Sequence, residues 1–143
     1  MNEPVLHKQS QFFGTRFDGP RDSPGFRLWT LHQRWQRTLN AVLSPHGLTQ
    51  PQFSILAVAA WLARYEAEVT QADICRFAAL ERMQVSQICR KLERMGFLER
   101  NASTSDVRAV ALSLTKDGGD KLTAVLPIVE QADEVFFAKD EQI

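Results

Sequence analysis

Between positions 81 and 100 the chain reads ERMQVSQICRKLERMGFLER, and two sets of side chains separate on it. Val85, Ile88, Leu92 and Met95 recur at i, i+3, i+7 and i+10, the apolar stripe of a helix lying on a core. The other side carries Met83, Ser86, Gln87, Arg90 and Arg94, with Lys91 at its edge. Donors and positive charges of this kind suit nucleic acid. A glutamine amide bonds to the edge of adenine, and a guanidinium gives two bonds to guanine. Gln87 and Arg90 are therefore candidates for base edges, Ser86 for a base or a phosphate, and Lys91 and Arg94 for phosphates further along. Arg108, beyond the helix, is a candidate for a minor groove or its phosphates. Gly96 stands where a left-handed cap is expected to end the helix.

Other chemistries are poorly served. His7, His32 and His46 fall in an N-terminal stretch, a long helix and a turn, without a Ser-His-Asp, Cys-His or phosphate-loop pattern. No His or Cys pair has chelating spacing, so neither a metal nor a cofactor is expected, and the chain is not expected to be an enzyme. Cys75 and Cys89 read as small core residues.

The helix needs elements to hold it. Asp22, Ser23 and Pro24 form a helix start, and the helix predicted over 24–43 carries Leu28, Leu31, Trp35, Leu39 and Val42 in near-heptad spacing. Such a stripe can pack on its own domain or on a second copy. Thr49 opens a second helix that is apolar nearly all round, and hence central. Thr70, with Asp73 three residues on, resembles a capping box and opens a short helix with Ile74, Phe77 and Ala78 inward. After the two-faced helix, residues 97–100 and the alternating Val110, Leu112 and Leu114 predict a two-stranded hairpin with the polar tip NASTSDV. Thr115 starts a last helix, with Leu122, Val125, Leu126, Val129, Ala132 and Phe136 inward. Residues 1–22, broken by Gly14, Gly19 and Pro20, read as a flexible arm before one domain over 23–143. Two tightly joined helices followed by a hairpin make a winged helix-turn-helix. The expected fold is mainly α with a small β-hairpin. The winged helix spans about 49–115 and is flanked by dimerisation helices at about 24–43 and 116–138.

A chain of 143 residues suits one domain and needs no disulfide or metal staple. Basic and acidic residues number 17 each, which argues against a strongly basic nucleic-acid binder, but they are unevenly placed. Residues 76–115 hold seven basic and four acidic side chains, whereas 116–143 hold three and seven. A local basic face binds phosphates even when the whole is neutral. The N-terminus has no apolar core of signal-peptide length, and the longest apolar run, 55–63, is too short to span a membrane. The expectation is a soluble cytoplasmic protein with no membrane partner.

Four blocks stand in order: GLTQPQFSIL at 47–56, VTQADICRF at 69–77, VSQICRKLERMGFLER at 85–100 and DVRAVALSLTKDG at 106–118. With them the chain, from about 28 to 122, resembles the MarR family of bacterial winged-helix regulators. The resemblance implies an obligate homodimer with interlocked first and last helices. It implies repression at a palindromic operator on double-stranded DNA, with release by a small aromatic effector or by thiol oxidation. Asp106 and Arg108 match the family's wing motif, in which the arginine reaches the minor groove and the acid braces the wing. Ser86, Gln87 and Arg90 match its groove-facing positions. Two departures stand out: Val107 replaces a basic residue common between the wing acid and arginine, and the chain stops at Ile143 where a further helix is common. The first predicts a weaker wing grip, the second a dimer built differently or with more help from the N-terminal segment.

The family's ligand crevice lies between dimerisation helices and DNA-binding lobe, and Trp29, His32, Trp35 and Gln36 are candidates to line it. Core or dimer packing is the other reading of the tryptophans. Cys89, on the flank of the two-faced helix, is the candidate for a thiol-responsive regulator. A winged-helix protein-interaction module without DNA binding is a further reading, favoured by zero net charge and Val107.

Overall fold

The structure, a computed structural model, describes residues 12–139. Five helices and a small sheet follow in order: α1 (Pro24–Leu43), α2 (Gln50–Leu62), β1 (Val69–Thr70), α3 (Gln71–Ala78), α4 (Arg82–Arg94), β2 (Leu98–Ala102), β3 (Val110–Leu114) and α5 (Lys116–Ala138). Part of the arm expected over 1–22 lies outside the described residues. Within them, Phe12–Gly14 and Pro20–Asp22 form short 3-10 turns. Among the described residues no helix is long and apolar enough to cross a membrane.

The helix starts are those the sequence marks. Ser23 accepts from the Phe26 N–H at 3.4 Å, with Pro24 in the first turn. Thr49 and Gln52 close a reciprocal capping box, as do Thr70 and Asp73, so orphan N–H groups are satisfied at both starts. The core forms where the apolar faces of α1, α2, α4 and α5 meet the sheet. Leu39, Leu43, Leu56, Ile74, Val85, Cys89, Leu92 and Val125 are all buried there. α1 and α5 are tethered by the Trp35 indole N–H, which donates to Asp133 Oδ1 at 2.7 Å. α1 and α2 are tied through buried Gln50. Its backbone N–H donates to Asn40 Oδ1 at 2.7 Å, its Oε1 accepts from Gln36 Nε2 at 2.9 Å, and its own amide donates to Ser54 Oγ at 2.7 Å.

Two expectations are corrected, and Leu28 takes one of two open readings. The sheet has three strands, not two, in the order β1-β3-β2, all antiparallel. Val69 lies opposite Leu112, on the other side of β3 from Arg100, so two residues before α3 serve as a strand as well as a helix cap. Phe77 does not face inward but is 57% exposed, because Ile74 and Ala78 centre the inner face of an eight-residue helix and leave Phe77 at its edge. Leu28 is 56% exposed although it lies within about 20° of Leu39 on the helical wheel. It sits in the first turns of α1, where the other described residues leave most of it uncovered.

α4 ends at Gly96, whose φ of +85° is the left-handed cap, and the Phe97 N–H closes back onto Leu92 O at 2.9 Å. Thr115 then stitches the far end of the hairpin to this cap. Its hydroxyl donates to Gly96 O at 2.5 Å and its N–H to Phe97 O at 3.1 Å. The same hydroxyl oxygen accepts from Gly118 N–H at 3.0 Å and so caps α5. Gly118 is buried against this junction, and a methyl group on it would collide with the Phe97 carbonyl. Gly118→Ala should therefore lower stability by about 1–3 kcal/mol, seen as a lower urea midpoint. An unchanged midpoint would mean that the junction yields without cost.

Candidate nucleic-acid interface

The interface is built on the exposed side of α4. Val85, Cys89 and Leu92 are fully buried, which fixes the rotation of the helix and turns the other side to solvent. The turn before it is compact. Ala79 takes the left-handed conformation (φ 56°), Leu80 packs on the core, and the Leu80 N–H bonds to Cys75 O at 3.1 Å. An open trough runs between α3, the first half of α4 and the descending arm of the wing. Ser86, Gln87 and Arg90 line it from the helix, and Asp106 and Arg108 line it from the wing. Lys91 and Arg94 are exposed on α4 but lie outside this trough.

The charges divide by whether they have an internal partner. Arg76 pairs with Asp73 at 2.5 Å. Arg100 is half-buried, donates to Gln71 Oε1 at 3.2 Å and lies 3.6 Å from Glu93, so it joins β2 to α3 and α4. Arg82, Arg90, Lys91 and Arg94 have no such partner among the described residues. Arg108 is 3.6 Å from Asp106 and almost fully exposed. Three arginines thus stand round the trough against one carboxylate.

Asp106 shapes the wing from within: its Oδ1 accepts from the Arg108 N–H at 3.0 Å and its carbonyl from the Ala109 N–H at 2.9 Å. The larger brace is one that sequence reasoning missed. Glu68, just before β1, reaches the wing tip and accepts from Ser103 Oγ, Thr104 N–H (2.9 Å), Thr104 Oγ1 (3.1 Å) and Ser105 Oγ (3.4 Å). Nothing local in the sequence links it to residues more than thirty positions away. Arg82 was also missed, although it shares a helix side with Ser86 and Arg90 at i, i+4 and i+8; it too lines the trough, as does Gln71 at the start of α3.

The residues expected at a ligand crevice all lie on α1. Trp29 is 60% exposed and stacks edge-on with Phe26, and His32 is exposed beside Trp35. Trp35 and Gln36 are engaged with Asp133 and Gln50. None of the four lines the open apolar groove between α1 and α5, formed by Thr38, Val42, Pro127, Ile128, Gln131, Ala132 and Val135. The flank position expected for Cys89 is also corrected. It is wholly buried at the centre of the inner face, and burial pushes its thiol up to about 11, with the Arg100 charge opposing. Held in its protonated form, a buried thiol is a poor nucleophile, which weighs against the thiol-responsive reading built on Cys89. Among the described residues no three His, Cys, Asp or Glu side chains cluster to hold a metal.

Comparison with known proteins bears on this geometry. The family described as transcriptional regulator SarA/Rot matches residues 37–125, which include the whole winged helix. The HTH-type transcriptional regulator YdcH of Bacillus subtilis is 44% identical over 124 residues, covering 87% of this chain and 84% of its own. An HTH-type transcriptional repressor of Mycobacterium tuberculosis is 29% identical over 119 residues, 82% of this chain and 83% of the relative. Among solved structures, a Staphylococcus aureus MepR–DNA complex superposes with a TM-score of 0.73 at 20% identity, covering 82% of this chain and 84% of that one. Wild-type MarR from E. coli superposes at 0.67 and 22%, with the same two coverages. The chain belongs to the SarA/Rot family of transcriptional regulators, and its winged helix-turn-helix has the fold of MarR and MepR.

The wing brace carries a pH dependence. The hydrogen bonds from Ser103, and next from the Thr104 amide, hold the Glu68 carboxyl below its ordinary value of 4.5. A group lowered in the folded state adds stability above its unfolded value, and that stability is lost as pH falls through the folded value. Amide-exchange protection at Thr104 should therefore hold from neutral pH down to the ordinary Glu range and be lost below it. Glu68→Gln should reduce that protection at neutral pH and remove its dependence on pH. Loss already well above pH 4.5 would assign the dependence to another group.

Proposed function

We propose that the protein is a repressor that binds a palindromic operator as a homodimer, with α4 of each protomer in a major groove and each wing against the neighbouring minor groove. The observation that carries this is the single exposed side of α4. Its cations lack internal partners, and it faces Arg108 across one trough. In this reading Ser86, Gln87 and Arg90 address base edges, Lys91 and Arg94 address phosphates, and Arg108 is held for the minor groove by Asp106. The internally paired Arg100 and Arg76 support the fold rather than the contact. A relative named as a repressor supports the direction of control, and MarR and MepR solved with DNA support the mode of binding. The same partnerless cations favour DNA over a purely protein-binding wing. No catalytic role is assigned to any residue.

The dimer is proposed to form through α1 and α5. Leu28, Trp29 and Val135 are exposed large apolar side chains on these helices, and the apolar groove between the helices is open. Such a surface is larger than isolated exposed residues require. A small aromatic effector remains part of the proposal. Its support is the relative BpsR of Bordetella bronchiseptica, whose DNA binding is regulated by 6-hydroxynicotinic acid. Here an effector would meet Trp29 and His32 first, because Trp35 and Gln36 must exchange their present partners to receive it. The protein is proposed to act in the cytoplasm.

Fluorescence anisotropy on duplexes chosen by selection from a random library tests the reading. Arg90→Ala should cost about 1–3 kcal/mol and relax preference at one base pair per half-site. Equal loss on selected and scrambled duplexes would remove Arg90 from base recognition. Arg108→Ala should weaken all sequences alike and lower the salt slope by about one; an unchanged slope would argue against a phosphate contact. Leu28→Asp should run as a monomer on a sizing column while keeping its helical circular dichroism. A dimer that survives the change would place the interface elsewhere.

A further inference from the structure

Met83 is out of place on a polar surface. It is the second residue of α4 and is 72% exposed, yet it lines the same trough as Ser86, Gln87 and Arg90. It is not part of the core or of the partly buried layer around it. Leaving so large an apolar side chain in water forgoes the stabilisation that burial would give, and any polar residue would hold that helix position as well. Flanked by Arg82 and Arg90, it is also a poor seat for an apolar protein partner.

The positions along α4 suggest what it meets. Met83, Gln87 and Arg90 stand at i, i+4 and i+7, so they stack along one side of the helix. The rise along the axis is about 6 Å from Met83 to Gln87 and about 4.5 Å from Gln87 to Arg90. Base pairs repeat every ~3.4 Å, so along the helix axis Met83 lies about two base-pair steps from Gln87, and Gln87 one to two steps from Arg90. Gln87 and Arg90 sense donors and acceptors. In the major groove a base pair presents one apolar group, the 5-methyl of thymine. An unbranched thioether with three rotatable bonds adapts to the position of such a group.

We propose that Met83 is a specificity-determining residue whose thioether seats on the 5-methyl group of one thymine per recognition helix, within about two base pairs of the one addressed by Gln87. This rests on the reading of α4 as the groove helix, and the test separates the two. A duplex is first selected from a random library by the wild-type protein. Each thymine of one half-site is then replaced singly by deoxyuridine, which removes the methyl group and keeps every hydrogen bond. The wild type should lose about fourfold in affinity at one position, the effect of removing one buried methyl. Met83→Ala and Met83→Gln should bind the thymine and uracil duplexes alike at that position, whereas Met83→Leu should retain discrimination. Selection of a defined sequence with equal uracil sensitivity in wild type and Met83→Ala, or with no sensitive thymine, would overturn the role of Met83 and leave the groove helix intact. Failure to select any sequence would overturn both.

Discussion

The stitch at Gly96, Phe97, Thr115 and Gly118 fixes the relation among recognition helix, wing and terminal helix. Three elements end or begin within it, and each uses a backbone group that another element supplies. The left-handed glycine stops α4 and sends the chain into β2. The Thr115 hydroxyl serves both that glycine's carbonyl and the first turn of α5. The absence of a Cβ at Gly118 lets α5 approach the Phe97 carbonyl. A helix that addresses bases must hold its rotation and depth to a fraction of an ångström relative to the wing. Four hydrogen-bonded backbone positions do this more rigidly than side-chain packing alone, because each bond has a direction as well as a distance. Through α5, the same junction joins the wing to Trp35 and α1.

Much of this was legible in the chain. Caps at Ser23, Thr49 and Thr70 are local chemistry, and so is the terminating Gly96, since each depends on residues within four positions. The exposed side of α4 followed from helical period alone. What could not be read depends on residues distant in sequence or on where elements stop. β1 is two residues long and exists only because β3 has a free edge beside Val69. Glu68 looks like a surface acid until the wing folds over it. Leu28 has the correct period for the core and lacks only a neighbour, which no periodicity reveals. The turn between α3 and α4 carries no Gly or Asn to announce it. Ala79 enters the left-handed region at a cost of about 1–2 kcal/mol, with Leu80 anchored in the core beside it. Cys89, read both as a core residue and as a flank residue of α4, is core: Val85, Cys89 and Leu92 at i, i+4 and i+7 form the seam, and Ile88 and Met95 flank it.

Zero net charge then ceases to weigh against DNA. Along α5, Glu130, Asp133 and Glu134 fall about 20–27 Å from the helix start beside the wing. That exceeds a Debye length at physiological salt, about 8 Å, so they do little to cancel the field at α4. Near the trough, acids are mostly engaged: Asp73 with Arg76, Glu93 with Arg100, and Glu68 with wing hydroxyls and an amide. The arginines of the trough are left in excess over Asp106 alone, and that carboxylate is partly occupied by the wing backbone. A neutral chain in which much of the negative charge is remote or internally paired presents a positive face where phosphates would lie. At the same time it keeps the overall attraction for nucleic acid low. Non-specific binding scales with the number of phosphates neutralised. In a regulator built this way, a larger share of affinity must therefore come from base-edge contacts. The base-edge contacts proposed for Met83, Gln87 and Arg90 would meet that requirement.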